Sequence, residues 1–345
     1  MVLKDKKRML LLTDGNIDNA SSRIRAMQYI PYLRQNNIEV FLIPRIPEKS
    51  NKLIWRFCFF PLLKRWYSLK RLFAIEFKHW DYVFIQRTFI GESLLKLLKK
   101  RNIPVFYDFD DAIYINPVRP SNRERTATMI KYADEVIVST DFLEDFCIGN
   151  DKNPVIIPSP IETDRIKPAV KASHRIPTIG WIGSVWTTGF LDVVENPLKR
   201  LAKTHSFRFL TVGAKSGYRI DGIEYDSKPW SLNEENERIG EMDIGIMPLP
   251  DTEYARSKGG YKLLQYMSGG IPCVASPVGI NSSIIRPGVN GYLASTEDEW
   301  FEILEKLLND PELRSQLGNQ GRTDAIELYS REVCFEKLMK VIRRH

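Results

Sequence analysis

Apolar runs alternate with helix-like segments along the whole chain. In the first half, runs with the character of buried strands occur at residues 8–14, 38–44, 81–87, 103–111, 134–140 and 153–161. Segments with helical spacing lie between them, at residues 21–36, 92–102 and 123–133. Strands that alternate with helices predict a parallel sheet with helices on both faces. This pattern restricts the chain to the α/β class.

The second half repeats the scheme. Its strand-like runs lie at 177–184, 207–214 and 243–250, with helical segments at 190–204 and 231–242. Between the halves, the stretch PSPIETDRIKPAVKASHRIP contains four prolines, as a linker would. A chain of 345 residues accommodates two domains. We predict two Rossmann-like, doubly wound domains, 1–165 and 172–330, which face each other across a ligand-binding cleft.

The stretch SKGGYKLLQYMSGGIPCVASPVG places Lys258 and Lys262 around a Gly-Gly pair, directly before a short amphipathic helix. A loop-to-helix junction presents backbone N–H groups and the positive end of the helix dipole, and therefore binds anions. Glycines let a phosphate approach the backbone, and two lysines suit a diphosphate. Two other strand-ending turns, one with Gly183 and Ser184 and one with Gly213, indicate a nucleotide-binding half. The sequence has neither a Walker A pattern nor a dinucleotide fingerprint, which argues against an ATPase or a dehydrogenase.

Residues 49–78 are both basic and aromatic. They contain eight cations against the single acid Glu76, namely Lys49, Lys52, Arg56, Lys64, Arg65, Lys70, Arg71 and Lys78. Such a segment suits an anionic membrane surface. The alternatives are a helical hairpin whose cations form its solvated face, and a nucleic-acid site. We place the membrane first and expect no nucleic-acid partner.

The remaining composition predicts an intracellular protein. The four cysteines and four histidines are scattered, which favours buried free thiols and no metal site. The apolar run MLLL is shorter than the core of a signal peptide, and no stretch reaches the length of a membrane span. We expect a cytoplasmic protein that associates peripherally with the inner face of the membrane.

The segments DIGIMPLPD, KGGYKLLQYMSGGIPCVASPVGINSSII and GVNGYLA resemble the retaining group 1 glycosyltransferases, which have the GT-B fold. The resemblance covers nearly the whole chain. It implies that the second domain binds a nucleotide sugar, that the first receives the acceptor, and that the last helix, 331–345, crosses back to the first domain. The predicted donor contacts are Gly183, Ser184 and Gly213 in the strand-ending turns, and Lys258, Gly259, Gly260, Tyr261, Lys262 and Gln265 in the loop and helix of the motif.

Two departures from the family pattern concern the donor site. Where the family usually has two glutamates eight residues apart, this chain has Ser257 and Gln265. The resemblance implies that the first position touches the donor sugar and the second the ribose, and Gln265 can still bond hydroxyls through its amide. The family's Arg and Lys in the first strand loop are also absent, and that loop has Ser184 instead. We expect Lys258 and Lys262 to supply the missing charge.

The run YDFDDA offers a choice between a metal site and a metal-free site. As a D-x-D pair, Asp108 and Asp110 could hold Mn²⁺ or Mg²⁺, but that motif belongs to another glycosyltransferase fold. In the resembled family this strand often ends in His-Asp, with the His near the reacting sugar. We therefore expect a metal-independent site in which Asp110 contacts the donor sugar or acceptor hydroxyl, with Asp111 beside it. The alternative is structural, with these acids capping the following segment AIYIN or paired to Arg87 or Arg119.

Arg23 and Arg25 follow the first strand loop. Two helical residues at this spacing point about 200° apart, so only one faces a cleft easily. We predict that Arg23 binds an acceptor or donor phosphate. The alternative is a solvated surface ion pair.

These observations predict a metal-independent, retaining hexosyltransferase of cell-envelope polysaccharide or glycolipid synthesis. It needs no cofactor, because a UDP- or GDP-linked sugar is its substrate, and a saccharide or lipid-linked hydroxyl is its acceptor. Lys258, Lys262 and Asp110 are the predicted catalytic residues. The alternative, motivated by Ser257 and Gln265, is a non-catalytic GT-B paralogue that binds a nucleotide or saccharide as a sensor or partner subunit. A GT-B epimerase ranks last, because no acid/base pair for it is evident.

Overall fold

The computed structural model describes residues 6–45, 60–115, 118–170 and 176–345, without the side chains of residues 60, 61, 63 and 64. The chain forms two compact units. The first contains residues 1–160 and 334–345, and the second contains residues 161–333.

The first unit is built on a six-stranded parallel sheet. Its strands are β1 (Lys7–Thr13), β2 (Ile38–Pro44), β3 (Tyr82–Gln86), β4 (Val105–Phe109), β5 (Glu135–Val138) and β6 (Val155–Ile156). They lie in the order β2-β1-β3-β4-β5-β6. Its helices are α1 (Ala20–Arg25), α2 (Ile30–Gln35), α3 (Phe60–Phe77), α4 (Glu92–Lys100), α5 (Asn122–Tyr132) and α6 (Asp141–Ile148).

The second unit repeats this plan. Its strands are β7 (Thr178–Ile182), β8 (Arg208–Val212), β9 (Glu224–Lys228), β10 (Ile244–Met247), β11 (Cys273–Ala275) and β12 (Gly291–Leu293), in the order β12-β11-β10-β7-β8-β9. Its helices are α7 (Asp192–Leu201), α8 (Glu235–Gly240), α9 (Glu253–Arg256), α10 (Tyr261–Ser268), α11 (Asn281–Ile284), α12 (Glu297–Asn309) and α13 (Pro311–Tyr329). The helix α14 (Arg331–Ile342) follows, and its residues from Cys334 onward belong to the first unit.

Both faces of each sheet are covered, which explains why the strands read as continuous apolar runs. On one face of the first sheet, Met9 and Leu11 of β1 pack in a cluster with Phe335 and Leu338 of α14. Leu10 and Leu12 point to the other face, where the cluster includes Leu95 and Leu98 of α4. In the part of the chain that is described, no helix is long and apolar enough to cross a membrane.

The structure corrects several predicted elements. The single helix expected over 21–36 is broken into α1, a 3₁₀ turn over Met27–Tyr29, and α2. The break has a local cause, because Pro31 lacks an N–H and its ring collides with the preceding turn, so it is tolerated only at a helix start. The sequence analysis also did not identify β9, whose residues EYDSK are polar and lie at the sheet edge.

Candidate functional site

The second sheet reverses its strand order between β7 and β10. Ligands of doubly wound sheets bind outside the carboxyl ends of the strands at this position. The turn with Gly183 and Ser184 follows β7, and Gly213 follows the neighbouring β8. From β10 the chain continues into α9 and α10; Lys258 lies in the loop between these helices and Lys262 in the first turn of α10. The predicted donor-binding residues therefore belong to segments that leave this edge of the sheet.

Trp181 of β7 brings the first strand loop and α10 together. A β-carbon at Gly183 would lie 2.3 Å from the indole ring, so only glycine fits there without a shift. The Nζ atom of Lys262 lies 4.6 Å from the centroid of the same ring. Trp181 is fully buried and was not singled out from the sequence. Trp181 could have been identified from the sequence, because it lies two residues before Gly183 and therefore on the same side of the strand.

The helix α10 begins with an unusual backbone turn. Gly260, its N-cap, has φ +68°, a left-handed conformation that L side chains rarely adopt. A β-carbon there would also lie 2.4 Å from Cδ1 of Ile284. Among the described residues no side chain caps this end, and the first turn carries no acid. The positive end of the helix dipole is thus left for an anion, beside Gly259, Tyr261 and Lys262.

The two lysines lie in different surroundings. Lys258 lies over the Tyr254 ring, 3.9 Å from its centroid, and its Nζ donates to Tyr254 Oη at 2.8 Å. Burial, together with the charge of Lys258, lowers the pKa of Lys262 to about 7. The Lys262 amine is therefore partly neutral in the free protein at neutral pH. A bound anion would restore its charge, because an opposite charge favours the protonated form.

The two departures from the family pattern have different environments. Ser257 is fully buried, and its hydroxyl donates to the backbone oxygen of Tyr254 at 2.8 Å. Gln265 is also buried, and its Nε2 donates to Oε1 of Glu235 at 2.9 Å. Glu235 was not identified from the sequence. It is 30 residues away from Gln265 in the chain, so no local spacing could reveal the contact.

In the first unit, a polar network at the carboxyl end of β4 holds Asp110. Ser21 donates to Oδ1 of Asp110 at 2.5 Å, and Gln86 donates to the Ser21 hydroxyl at 2.8 Å. Ser139 donates to the backbone oxygen of Asp110 at 3.0 Å. This network fixes the predicted catalytic carboxylate in one orientation.

Arg87 joins Asp110 and Asp111. Its Nη1 lies 3.3 Å from Oδ1 of Asp110 and 2.9 Å from Oδ2 of Asp111. Burial disfavours the Arg87 cation, but the two carboxylates outweigh this effect and raise its pKa. Arg87 has φ +52°, which is uncommon outside glycine and occurs at strained, often functional, positions. The pairing with Arg87 that we considered as an alternative is thus present, while the part of Asp110 in the reaction stays a prediction.

The first-unit arginines differ from expectation, because both are buried. Arg25 makes two bonds to Asp108, from Nε at 3.2 Å and from Nη2 at 2.6 Å. Asp108 is thus held by a guanidinium. The Nη1 of Arg23 donates to the backbone oxygen of Ile17 at 2.8 Å, and Arg23 is only 7% exposed. The alternative interpretation, a solvated surface ion pair at Arg23, is therefore wrong. Within the described ranges, no group of three or more His, Cys, Asp or Glu side chains could hold a metal ion.

The basic aromatic segment is described only from residue 60 onward, so Lys49, Lys52 and Arg56 lie outside the described residues, as does the side chain of Lys64. The structure corrects the prediction for Arg71, which is 6% exposed and not a surface cation. Its guanidinium donates to the backbone oxygens of Thr13 and Ile43 and to the hydroxyl of Thr88. Arg71 therefore ties α3 to the ends of β1 and β2.

The outer face of α3 remains both apolar and basic. The large apolar side chains Leu62, Trp66, Leu69, Phe73 and Phe77 are each more than half exposed. The cations Arg65 and Lys70 are exposed on the same helix, and the exposed Lys78 follows it.

Comparison with known proteins agrees with this architecture. Residues 252–324 match the family described as glycosyl transferases group 1. Sucrose-phosphate synthase from Thermosynechococcus elongatus is 14% identical, with 98% of each chain covered and a TM-score of 0.74. A glycosyltransferase from Rickettsia africae ESF-5 is 15% identical, with 99% of each chain covered and a TM-score of 0.75. Anabaena Alr3699/HepE in complex with UDP is 12% identical, with 98% of this chain and all of that chain covered and a TM-score of 0.69.

Comparison with curated protein sequences gives no significant match. The structural likeness extends over both units, and the sequence match covers the part of the second unit from α9 into α13. The chain therefore has the GT-B fold of glycosyltransferases, and its residues 252–324 match the group 1 glycosyl transferases.

Proposed function

We propose that the protein transfers a sugar from a UDP- or GDP-linked donor to an acceptor hydroxyl, with retention at the anomeric carbon. The observation that carries this proposal is the start of α10, where the N-terminus at Gly260, which no described side chain caps, lies on the same helix as Lys262, whose Nζ lies over the Trp181 ring of β7. The sequence match over the same segment supports it. Structures of Anabaena Alr3699/HepE contain UDP, UDP with glucose, and UDP-glucose, which favours a uridine donor.

The chemistry requires positive charge at the leaving group. As the bond between the anomeric carbon and the β-phosphate oxygen breaks, that oxygen gains negative charge, while the acceptor oxygen bonds to the carbon and its proton passes to the departing diphosphate. Lys258, Lys262 and the 259–262 backbone are placed to stabilise the departing diphosphate. Gly183, Ser184, Gly213 and Tyr261 complete the proposed donor site.

In the first unit, we propose that Asp110 contacts the donor sugar or the acceptor hydroxyl. Its fixed orientation on Ser21 and Arg87 suits a group that must be in place before the substrate arrives. Arg23 and Asp111 remain proposed contacts of the acceptor or of a phosphate. We propose that the reaction needs neither a metal ion nor a cofactor.

Nucleotide binding is the first test. Thermal unfolding is followed with UDP, GDP, ADP and CMP, each with and without EDTA. A nucleotide at 100 times its dissociation constant should add about 2.7 kcal/mol to the stability. Lys258→Ala should reduce this effect. A matched control is Lys306→Ala, because Lys306 likewise lies over a tyrosine ring and donates to its hydroxyl, at Tyr292 of the edge strand β12. An equal loss in both variants would contradict a specific role for Lys258.

We further propose that α3 binds an anionic membrane, where a lipid-linked acceptor for polysaccharide or glycolipid synthesis would be found. The exposed aromatic and cationic side chains of α3 support this. Replacing Arg65, Lys70 and Lys78 by serine should weaken binding to phosphatidylglycerol vesicles by about 100-fold, at about 1 kcal/mol per charge. The control replaces three exposed lysines of α4, namely Lys96, Lys99 and Lys100. Equal binding of the α3 variant and the control variant would refute the membrane proposal.

A second candidate is a non-catalytic GT-B protein that binds a nucleotide or saccharide as a sensor or partner subunit. The environment of Ser257 favours it, because its buried hydroxyl already donates to the backbone oxygen of Tyr254. The two candidates differ in turnover. The transferase consumes the donor only when an acceptor is present, whereas the non-catalytic protein binds nucleotide without consuming any donor.

A further inference from the structure

Glu235 lies at the centre of a buried polar cluster in the second unit. It is the first residue of α8 and is only 2% exposed. Its Oε2 accepts a hydrogen bond from Arg165 Nη2 at 2.5 Å. Its Oε1 accepts from Trp230 Nε1 at 3.0 Å and from Gln265 Nε2 at 2.9 Å. Three donors from separate parts of the chain thus converge on one carboxylate.

This cluster determines how the amide of Gln265 is oriented. A carboxylate only accepts hydrogen bonds, whereas an amide has one donor end and one acceptor end. Since Glu235 takes the amide N–H, the Oε1 atom of Gln265 points away from Glu235. A carboxylate at position 265 would place two negative charges about 3 Å apart, and this repulsion would raise the pKa of the pair so that it takes up a proton as the pH falls. The amide at position 265 is therefore matched to Glu235.

The position of Gln265 on α10 indicates what its carbonyl can bind. Gln265 lies four residues after Tyr261 and three after Lys262, so all three share one side of the helix. The rise between Lys262 and Gln265 is roughly 4.5 Å along the axis. The family resemblance implies a ribose contact at position 265, and a neutral hydrogen-bond acceptor at this step from Lys262 suits a ribose hydroxyl.

We propose that Glu235 is a positioning residue for nucleotide binding, which holds Gln265 with its amide carbonyl directed at the ribose hydroxyls of a nucleoside diphosphate. This inference rests on the proposed function, because it requires the nucleotide at the start of α10. Arg165 neutralises the buried carboxylate, so Glu235 can act on Gln265 without adding net negative charge beside the diphosphate.

The test measures UDP affinity of the full chain by titration calorimetry for four variants. Glu235→Gln and Gln265→Glu should each weaken UDP binding by about 10-fold or more, because each mismatches the pair. The double variant E235Q/Q265E restores one amide and one carboxylate in hydrogen-bond contact, and should bind within about 3-fold of the wild type. The Gln265→Glu loss should also diminish at low pH, where the two acids share a proton.

Trp230→Phe is the matched control. It removes the other donor to the same Oε1 atom but leaves the Gln265 bond intact. We expect a lower unfolding temperature and a UDP affinity within about 3-fold of the wild type. A purely structural role for the cluster predicts instead that affinity follows stability in all variants, including this one.

Two results would overturn the inference. If the wild type binds UDP and the losses in the single variants simply add in the double variant, Glu235 does not position Gln265. If the wild type binds none of UDP, GDP, ADP and CMP, the proposed function fails and the inference fails with it. If Glu235→Gln does not fold, the UDP affinities of Gln265→Glu and the double variant still test the inference. Recovery of UDP binding in the double variant requires that the two residues act as a pair.

Discussion

Lys262→Met should stabilise the free protein and weaken nucleotide binding. The substitution keeps an unbranched side chain over the Trp181 ring but removes an amine that is costly to charge where it lies. The two effects have opposite signs because the same charge that opposes folding is the one a diphosphate needs. A lysine that served only the fold would show no such opposition.

The size of the stability effect follows from the pKa of Lys262, about 7 against an ordinary value of 10.5. At about 1.4 kcal/mol per pH unit, this difference is nearly 5 kcal/mol as an upper bound. The side chain is only half-buried, and the ring face of Trp181 attracts the cation by about 0.5 to 2 kcal/mol. We therefore expect a gain of about 2 kcal/mol. For a unit of this size that corresponds to an unfolding temperature higher by about 4 to 8 °C.

The gain should depend on pH with a defined sign. Below pH 7 Lys262 is protonated in both the folded and the unfolded chain, so the buried charge destabilises the folded state by its full amount. Between pH 7 and 10.5 the folded chain has lost this proton and the unfolded chain still holds it, so stability rises with pH. The advantage of the Lys262→Met variant should thus be largest near pH 6 to 7 and vanish towards pH 10.5.

Thermal unfolding at pH 6.5 and pH 9.5 without ligand, followed by titration with UDP at pH 6.5, measures both effects. Loss of a charge-assisted contact should weaken UDP binding by about 10- to 150-fold, or 1.5 to 3 kcal/mol. Lys306→Met, a lysine on α12, is the control and should change neither quantity by a comparable amount. A Lys262→Met protein that is less stable at both pH values, or that binds UDP as well as the wild type, would refute the reasoning.

Three other outcomes are expected. In the wild type, the affinity for UDP-glucose should fall by up to about 10-fold per pH unit above pH 7, because the diphosphate charge is constant in this range while Lys262 loses its proton. The affinity of Lys262→Met should not change with pH, and calorimetry at pH 7 to 9 measures both. Gly260→Ala should cost about 1 to 3 kcal/mol in chemical denaturation, because φ is +68° and the new β-carbon meets Ile284. Arg25→Met should cost about 3 to 5 kcal/mol, because Asp108 loses its buried partner and, with a pKa that burial already raises to about 6, must take up a proton; adding Asp108→Leu should recover part of this loss, and an additive loss would show that the pair is not coupled.

Local sequence patterns predicted the α/β class and most strands, because a strand between two helical layers must be apolar on both faces. They failed where a segment is stabilised by its neighbours. The strand β9 is polar and exists because it pairs with β8 at the sheet edge. The expected helix over 21–36 shows the opposite case, since its break comes from the local chemistry of Pro31, which apolar periodicity does not report.

The sequence by itself also predicted the glycine start of α10 that the structure shows, which no described side chain caps, since glycines at a loop-to-helix junction act through local backbone geometry. Only the tertiary structure decided where long polar side chains point. Arg71, in the basic segment, donates to a buried backbone oxygen of β2. Arg25 donates to Asp108, 83 residues away in the chain, and Gln265 donates to Glu235, 30 residues away. A long side chain takes the direction in which its charge or amide is satisfied, and the partner that satisfies it is brought close only by the fold.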